Sequence, residues 1–490
     1  MKVSIPVLEG QAREPLTESA LFPSRLAGLR TRAPFELHRM TRASRGEFWY
    51  AALDGTAMAL VLVNFRHSVF MLEIDLKSGP GAALLKAMAD QHGNALAQAA
   101  QLLSRLFVIH SPLAPGLRFV GGEAKPKRLP TMLFAPEISF SLAGSSESLE
   151  DALASCIGEG IERLSQVEQP GDGTPKLSYA DAAPDTIPAA RHLIEEVLGH
   201  SEQGLGAKLA WVRGRILANG SACLVPSDWC LRQRAPGSLV IPGAALSTGS
   251  AAGASFETAA ARALLELVER DAASLWWIGG YRPRPVAADS RAMAEATRVL
   301  GNLRRNSRER TTWLLDITSD LDVPCVAAVS VDQEGHGLAC GLAARLSLPE
   351  AARAAILEMC QMELAFPIVE MKRHQGGDAA LNEIDRGHLA RATKINAESC
   401  ELLHPLGSPR REPEPPDAGE ALSALQAVFA RCGLEAALVD LTRPEFGIPV
   451  VWAMVPELQL MPCNLQTERL RRAIATTGGG ERNTNGVALF

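Results

Sequence analysis

The stretch Ala245-Leu-Ser-Thr-Gly-Ser-Ala-Ala-Gly-Ala-Ser-Phe-Glu-Thr-Ala259, continued by Leu265-Glu-Leu-Val-Glu-Arg-Asp271, joins a loop of small residues to a charged helical face. Ser255 suits a helix N-cap, because its hydroxyl can accept from the free backbone amides of a first turn. Ala259, Ala263, Leu264 and Leu267 then recur at helical spacing, which predicts an amphipathic helix of about three to four turns. On that helix Glu266, Glu269 and Arg270 stand at i, i+3 and i+4 and share one face. An acidic pair thus projects together with a cation beside it.

The pattern recurs twice. Ser148 and Glu159, Ser255 and Glu266, and Ser347 and Glu358 are each eleven residues apart, and a polar partner follows each glutamate by three: Glu162, Glu269 and Gln361. Arg163 and Arg270 complete two Glu-x-x-Glu-Arg copies. Each serine is a candidate cap, with Asp151 and Glu350 completing or approximating a capping box. A single such motif is ordinarily a solvated face with an i,i+4 ion pair. Three copies in Ala-rich surroundings, without other charges on the same side, point instead to carboxylates converging inside the protein. Gathered carboxylates repel unless a cation joins them, and hard oxygen ligands suit Mg²⁺, which also keeps waters or takes phosphate oxygens. The small residues Ser247–Gly253 and Ser145-Ser146 could bring backbone N–H groups to phosphates at helix N-termini. Neither Gly-x-x-x-x-Gly-Lys-Ser/Thr nor Gly-x-Gly-x-x-Gly occurs, so any ATP is held in another way.

At 490 residues the chain has room for two to four cores, or one large core with an added module. A composition of 47% hydrophobic and 21% charged residues is that of a soluble globular protein. The net charge of −6 argues against a general nucleic-acid binder. Met1–Pro6 is followed by charge and proline rather than a signal core, and the apolar run Ala57–Val63 is too short for a membrane span. A cytoplasmic protein is expected. Nine cysteines without a CxxC pair read as scattered core thiols, and the ten histidines form no HxxH or HExxH pair. Trp276-Trp277 reads as core at a helix end, with base stacking as the alternative.

Gly121–Pro130, Pro170–Pro188 and Pro405–Gly419 read as linkers or surface loops. Before them, Phe48–Leu53 and Thr56–Val63 flank Asp54-Gly55, a hairpin turn signal. Ser68–Ile74 adds a strand, and Ala82–Ala89 and Ala95–Phe107 predict two short helices. Residues 1–125 are therefore expected to form a small α+β module. Trp313–Val331 and Ala437–Val455 carry the same strand-turn-strand pattern, Asp316-Ile-Thr318 leading to Val323-Pro324 and Asp440-Leu-Thr442 to Ile448-Pro449. Internal duplication is expected.

The stretch Ala245–Asp271 resembles the signature of the YcaO family, Ser148–Arg163 resembles its first ATP motif, and Ser347–Glu363 its third. The resemblance spans roughly residues 131–490 and implies an α+β fold of internally duplicated mixed sheets with packed helices. It implies ATP and Mg²⁺ as cofactors, with Glu159, Glu162, Glu266 and Glu269 on the metal and Ser148, Arg163, Ser250, Arg270, Glu358 and Gln361 on the nucleotide. It implies azoline formation from Ser, Thr or Cys of a precursor peptide, or thioamide formation, or a silent assembly subunit that keeps the fold. Expected partners are the precursor peptide, a leader-binding subunit resembling ubiquitin-activating enzymes, and a flavin dehydrogenase that later oxidises the rings. Residues 1–125, which lack that subunit's zinc cysteines, are candidates for partner docking or leader binding. This chain departs from the family at Gly144-Ser145-Ser146, where relatives often have Gly-Lys-Gly, and at Thr248, where Asn is frequent. It also ends in Gly486–Phe490 instead of a proline-rich tail, leaving the Phe490 carboxylate as candidate base.

Overall fold

The computed structural model describes residues 35–43, 46–53, 56–60 and 70–489, apart from 126–138, 170–171, 173–174, 200–205, 207, 233–247, 306, 418, 462 and 464. Strands β1 (Phe35–Ala43), β2 (Gly46–Leu53), β3 (Thr56–Leu60), β4 (Phe70–Glu73), β5 (Leu103–His110), β6 (Arg118–Ala124) and β7 (Phe140–Ser146) form an antiparallel sheet in chain order. Leu53 faces Thr56, the register expected of a hairpin around Asp54-Gly55, although those two residues lie outside the described ones. The chain continues through β8 (Lys176–Ser178), β9 (Lys208–Ile216), β10 (Ala222–Pro226) and β11 (Ser250–Ala252), then β12 (Arg284–Pro285), β13 (Thr311–Asp316), β14 (Cys325–Val331) and β15 (Ala339–Ala344), and last β16 (Ala437–Asp440) and β17 (Val450–Met454). A second sheet has the order β10-β9-β16-β17-β11 with β8 on β9, and a third the order β12-β13-β14-β15. The fold is α+β.

Each sheet delivers one strand into one of the three acidic helices. β7 leads to the first (Leu149–Ser165), β11 to the second (Phe256–Trp277) and β15 to the third (Leu348–Glu363). The apolar spacing read in the sequence is what seats them. Leu153, Cys156, Ile157 and Ile161 of the first helix share a core with Leu106, Val120 and Leu142 of the first sheet. Two glycines set how closely helix and strand approach. A Cβ on Gly144 would lie 2.1 Å from the Ala152 carbonyl oxygen, and one on Gly341 2.2 Å from that of Ala355, distances no side chain tolerates.

The duplication extends to hydrogen bonds. Asp316 accepts from the Thr318 amide at 2.9 Å and the Thr318 hydroxyl from the Cys325 amide at 3.0 Å. Asp440 accepts from the Thr442 amide at 2.9 Å and the Thr442 hydroxyl from the Val450 amide at 3.1 Å. Each Asp-x-Thr thus ties off the turn between paired strands, β13 with β14 and β16 with β17.

Some expectations are corrected. The helix expected over Ala95–Phe107 ends at Ala99, and Leu103–His110 is a strand between β4 and β6. Its Phe-Val-Ile run suits a sheet, and tertiary pairing overrides the helical spacing of the leucines. Gly121–Ala124 belongs to β6 rather than to a linker; Gly121 faces the Phe107 ring, which a Cβ would approach to 3.0 Å. The break at Pro170–Pro188 holds β8 and a short helix, Tyr179–Ala182. Of Pro405–Gly419, the described residues are irregular and largely exposed, as a surface loop should be. Trp276 and Trp277 are core: their indole N–H groups donate to the carbonyls of Leu402 and Val487, both at 2.8 Å. That leaves neither ring for base stacking. The nine cysteines are unpaired thiols, seven of them buried. Among the described residues no helix is long and apolar enough to cross a membrane.

Candidate functional site

The three acidic helices bring their carboxylates together through a relay of backbone amides. The first glutamate of each helix accepts from an amide of its own preceding segment: Glu159 from Ala143 at 2.6 Å, Glu266 from Gly249 at 3.0 Å and Glu358 from Leu342 at 2.6 Å. The second glutamate reaches the next unit, Glu162 accepting from Ala252 at 2.8 Å and Glu269 from Ala344 at 3.2 Å. Spacing of i, i+3 on each helix makes this possible, since one carboxylate faces its own strand while the other faces the neighbour's. The amides fix five carboxylates without neutralising them.

Cations thread the cluster. Arg163 Nε donates to Glu159 at 2.9 Å, and the Arg270 guanidinium lies 3.6 Å from Glu266 and 3.7 Å from Glu269. Burial opposes the charge on Arg270, but Glu269, Glu266 and Glu358 outweigh it and hold the group above its ordinary range. The carboxylates are under greater strain. Burial pushes Glu162 up to about 8, with Glu159 and Glu266 adding to the push and the Ala252 amide and Arg262 opposing it. Burial likewise lifts Glu266 to about 7 against the pull of Arg270, and Glu358 to about 7 with Glu269 adding to it. About 27% of the Glu159 and Glu266 side chains stays open to solvent and 11% of Glu269, so the cluster is recessed but reachable. Crowded, desolvated carboxylates of this kind are stabilised by added positive charge.

This has a measurable consequence for stability. The folded values of Glu162, Glu266 and Glu358 lie above the 4.5 of a free side chain, so above that pH the unfolded chain loses protons that the folded chain keeps. Stability is therefore full below about 4.5, falls as pH rises by about 1.4 kcal/mol per unit for each such group, and levels off above the folded values. Asp271 and Asp316, raised by burial, act with the same sign. His110 and His388, lowered by burial, act with the opposite sign below about 6.5, so the melting temperature of the unliganded protein is expected to drop from pH 6.5 to pH 8, as read by calorimetry. A flat profile would contradict the cluster's geometry.

The profile of the family described as YcaO cyclodehydratase, ATP- and Mg²⁺-binding, matches residues 143–459, well over half the chain. This chain belongs to the YcaO family. Its fold is similar to that of a heterocyclase solved in complex with substrate and cofactor, at TM-score 0.59 and 21% identity over 80% of this chain and 55% of that one. It is also similar to the YcaO from Methanopyrus kandleri bound with AMPPCP and Mg²⁺, at TM-score 0.52 and 18% identity over 76% of this chain and 91% of that one. A third likeness is to a chain of the E. coli microcin synthetase McbBCD complex with pro-MccB17 bound, at TM-score 0.53 and 13% identity over 72% and 88%. The chain spans about half the length of the first of these, 55%. No curated protein matches it in sequence. The cofactors of the YcaO family are ATP and Mg²⁺.

The residues present fit those cofactors. Among the described residues no three His, Cys, Asp or Glu side chains are grouped closely enough to hold a metal ion by themselves, so Mg²⁺ here would need phosphate oxygens and water beside one or two carboxylates per ion. Ser250 Oγ, on β11 beside the Glu266–Gly249 contact, is buried without a hydrogen-bond partner, as a hydroxyl reserved for a ligand would be. The structure brings Glu159, Glu162, Glu266, Glu269, Glu358, Arg163 and Arg270 into one cluster. Gln361 follows Glu358 by one turn on the third helix and is partly buried. Ser148 is not brought in. It caps the first helix, accepting from the Asp151 amide at 3.1 Å, about 16 Å of helix rise away from Glu159. Ser255 caps the second helix in the same way, whereas Ser347 at the start of the third makes no such bond. Phe490 lies outside the described residues; Val487 and Leu489 before it are buried in the core of the second and third sheets.

Two nearby cations were not singled out in the sequence. Arg262, one turn before Glu266, donates to the Ala252 carbonyl at 3.1 Å, and Arg345 to that of Ala344 at 2.7 Å. Both oppose the rise of neighbouring carboxylates, Arg262 at Glu162 and Arg345 at Glu358. The i,i+4 step from Arg262 to Glu266 was the signal available for the first. Arg345 had none.

Proposed function

We propose that this chain is the ATP-dependent cyclodehydratase for a ribosomally made precursor peptide, closing azoline rings from its Ser, Thr or Cys residues. One observation carries the reading: five buried or half-buried carboxylates from three helices, held by backbone amides of their own and one another's strands. When bound, ATP supplies the phosphoryl group that makes the amide oxygen of the peptide a leaving group. Glu159, Glu162, Glu266 and Glu269 would hold Mg²⁺ in this reading, one or two to an ion, with phosphate oxygens and water completing each. Arg163, Arg270, Glu358, Gln361 and Ser250 serve the nucleotide, with Ser148 acting only through the helix it caps. Preorganised charge at the phosphates, set by rigid helices, is the main source of rate in such chemistry. A bound cation would favour the ionised forms of Glu162 and Glu266, which burial otherwise holds toward neutrality.

The precursor peptide, a leader-binding subunit resembling ubiquitin-activating enzymes and a ring-oxidising flavin dehydrogenase are the proposed partners, with residues 1–125 as docking or leader-binding module and residues 131–490 as catalytic domain. Phe490 is the proposed base, and its deletion is expected to slow ring closure without weakening nucleotide binding. Mass spectrometry of the peptide after incubation with Mg²⁺, ATP and the partner subunit decides among the chemistries. Ring closure removes water and about 18 mass units per site, while exchange of oxygen for sulfur adds about 16, because the atom that leaves the activated amide differs in its replacement. An unchanged mass with no ATP turnover would reject the enzymatic reading.

A further inference from the structure

Arg262 and Arg345, to which the chemistry above gives no task, occupy equivalent places in two units. β11 and β15 are end strands of the second and third sheets. Ladder bonds are made by the residues that follow Ala252 and Ala344, the Gly253 amide donating to Pro449 and the Arg345 amide to Pro324, both at 3.0 Å. Ala252 and Ala344 therefore turn their own N–H and C=O outward, away from the sheet. Each outward amide is taken by a glutamate of the preceding acidic helix, Glu162 at 2.8 Å and Glu269 at 3.2 Å. Each outward carbonyl is taken by an arginine, through Nη1 of Arg262 at 3.1 Å and Nη1 of Arg345 at 2.7 Å. Arg262 lies ten residues beyond its alanine, on the second helix, whereas Arg345 is the very next residue after its own. Two different chain routes deliver one side-chain type to one place, which points to a task at that place.

The other contacts of these cations say what the task is. Arg163 and Arg270 lie against carboxylates, but among the described residues neither Arg262 nor Arg345 has a carboxylate within ion-pair distance or a second side-chain hydrogen bond. Nη1 is anchored on the carbonyl, and the Nε–Nη2 edge, which grips oxyanions as a two-pronged fork, is unpaired. Arg262 is exposed and Arg345 half-buried with no polar atom shut away from solvent, so both forks are reachable. Each also stands near enough to a cluster carboxylate to favour its charge, Arg262 at Glu162 and Arg345 at Glu358. An oxyanion that docks here meets the edge of a carboxylate cluster, which repels a bare anion and accepts one that brings its own divalent cation. A metal-bound polyphosphate meets that condition, and a carboxylate or a lone phosphate does not. We propose that Arg262 and Arg345 are phosphate-binding residues for the Mg²⁺-nucleotide, each donating its free fork to phosphate oxygens while the glutamates hold the metal. The assignment rests on the ATP site proposed above and adds to it two cations contributed by the edges of different sheets.

The test is a calorimetric titration of Mg²⁺-AMPPCP into the full chain and into Arg262→Met, Arg345→Met, Arg262→Lys and Arg345→Lys, with melting curves taken without nucleotide to show that each variant is folded. Met keeps the length and apolar stem of the side chain and removes the charge. Each Met variant is expected to bind Mg²⁺-AMPPCP about ten- to a hundredfold more weakly than the parent, the loss of hydrogen bonds between charged groups. Each Lys variant keeps the charge but has no fork, so it is expected to recover only part of that loss. Unchanged or tighter binding by either Met variant would make that arginine a counter-ion of the carboxylates, and full recovery by Lys would reduce the effect to charge at a distance. Either result overturns the proposal. Failure of the parent itself to bind Mg²⁺-AMPPCP would sink the nucleotide site and the arginine assignment together, whereas a parent that binds and Met variants that match it would sink the assignment alone.

Discussion

Glu266→Gln is expected to lower ATP-dependent ring formation by about a hundred- to a thousandfold, the scale on which removal of one preorganised charge-stabilising group acts. The amide side chain keeps the shape of the carboxylate and can still accept from the Gly249 amide, now at 3.0 Å. Only the negative charge is lost. Folding should not suffer, because Glu266 is lifted to about 7 by burial and by Glu269, so ionising it in the unliganded protein costs stability at pH 8. The variant is therefore expected to melt at a higher temperature than the parent at pH 8, and at nearly the same temperature at pH 4, where the carboxyl is mostly neutral in the folded and the unfolded chain alike. Activity falls while stability rises, a pairing expected of residues held in place for function. Peptide mass analysis alongside melting curves at both pH values checks it, and a variant that loses both activity and stability would show Glu266 to be structural.

Glu363→Ala is expected to have the opposite signature. Glu363 closes the third motif in sequence, but its side chain is fully buried and accepts from Arg304 at 2.5 and 2.6 Å, from Arg310 at 3.0 Å and from the Ser330 hydroxyl at 2.5 Å. Removing it leaves two guanidinium groups in the interior of the third unit without their anion. Breaking a buried pair from one side costs about 3–5 kcal/mol, so the first unfolding transition in urea should shift to markedly lower concentration. Replacing Arg304 and Arg310 by Met in the same background should recover part of that loss, because the uncompensated charge is gone. Failure of that recovery would mean the glutamate matters for packing rather than charge.

The contrast between these two glutamates shows what the sequence could carry. Glu266 repeats at fixed spacing from Ser255, as Glu159 does from Ser148 and Glu358 from Ser347, and periodicity is enough to put such residues on one helical face. Glu363 breaks that period. Its partners Arg304 and Arg310 lie more than fifty residues away in the chain, and no local pattern reports a contact of that range. The same limit explains Leu103–His110, whose leucine spacing fits a helix until β4 and β6 are there to pair with it. The Asp-x-Thr turns were legible because each is a local hydrogen-bond motif, used twice. The amide relay was not. It depends on which strand of one unit lies against which helix of another, and a Glu-x-x-Glu spacing is silent about its neighbour's backbone.

Calorimetric titration of Mg²⁺-AMPPCP into the parent chain, Glu162→Gln and Glu266→Gln tests the central claim most directly, since the two glutamates belong to different helices and different sheets. If the helices meet at one metal-bound nucleotide, the parent binds more tightly with Mg²⁺ than with EDTA, and each substitution removes most of that difference. Equal binding by all three proteins, in Mg²⁺ and in EDTA alike, would contradict it.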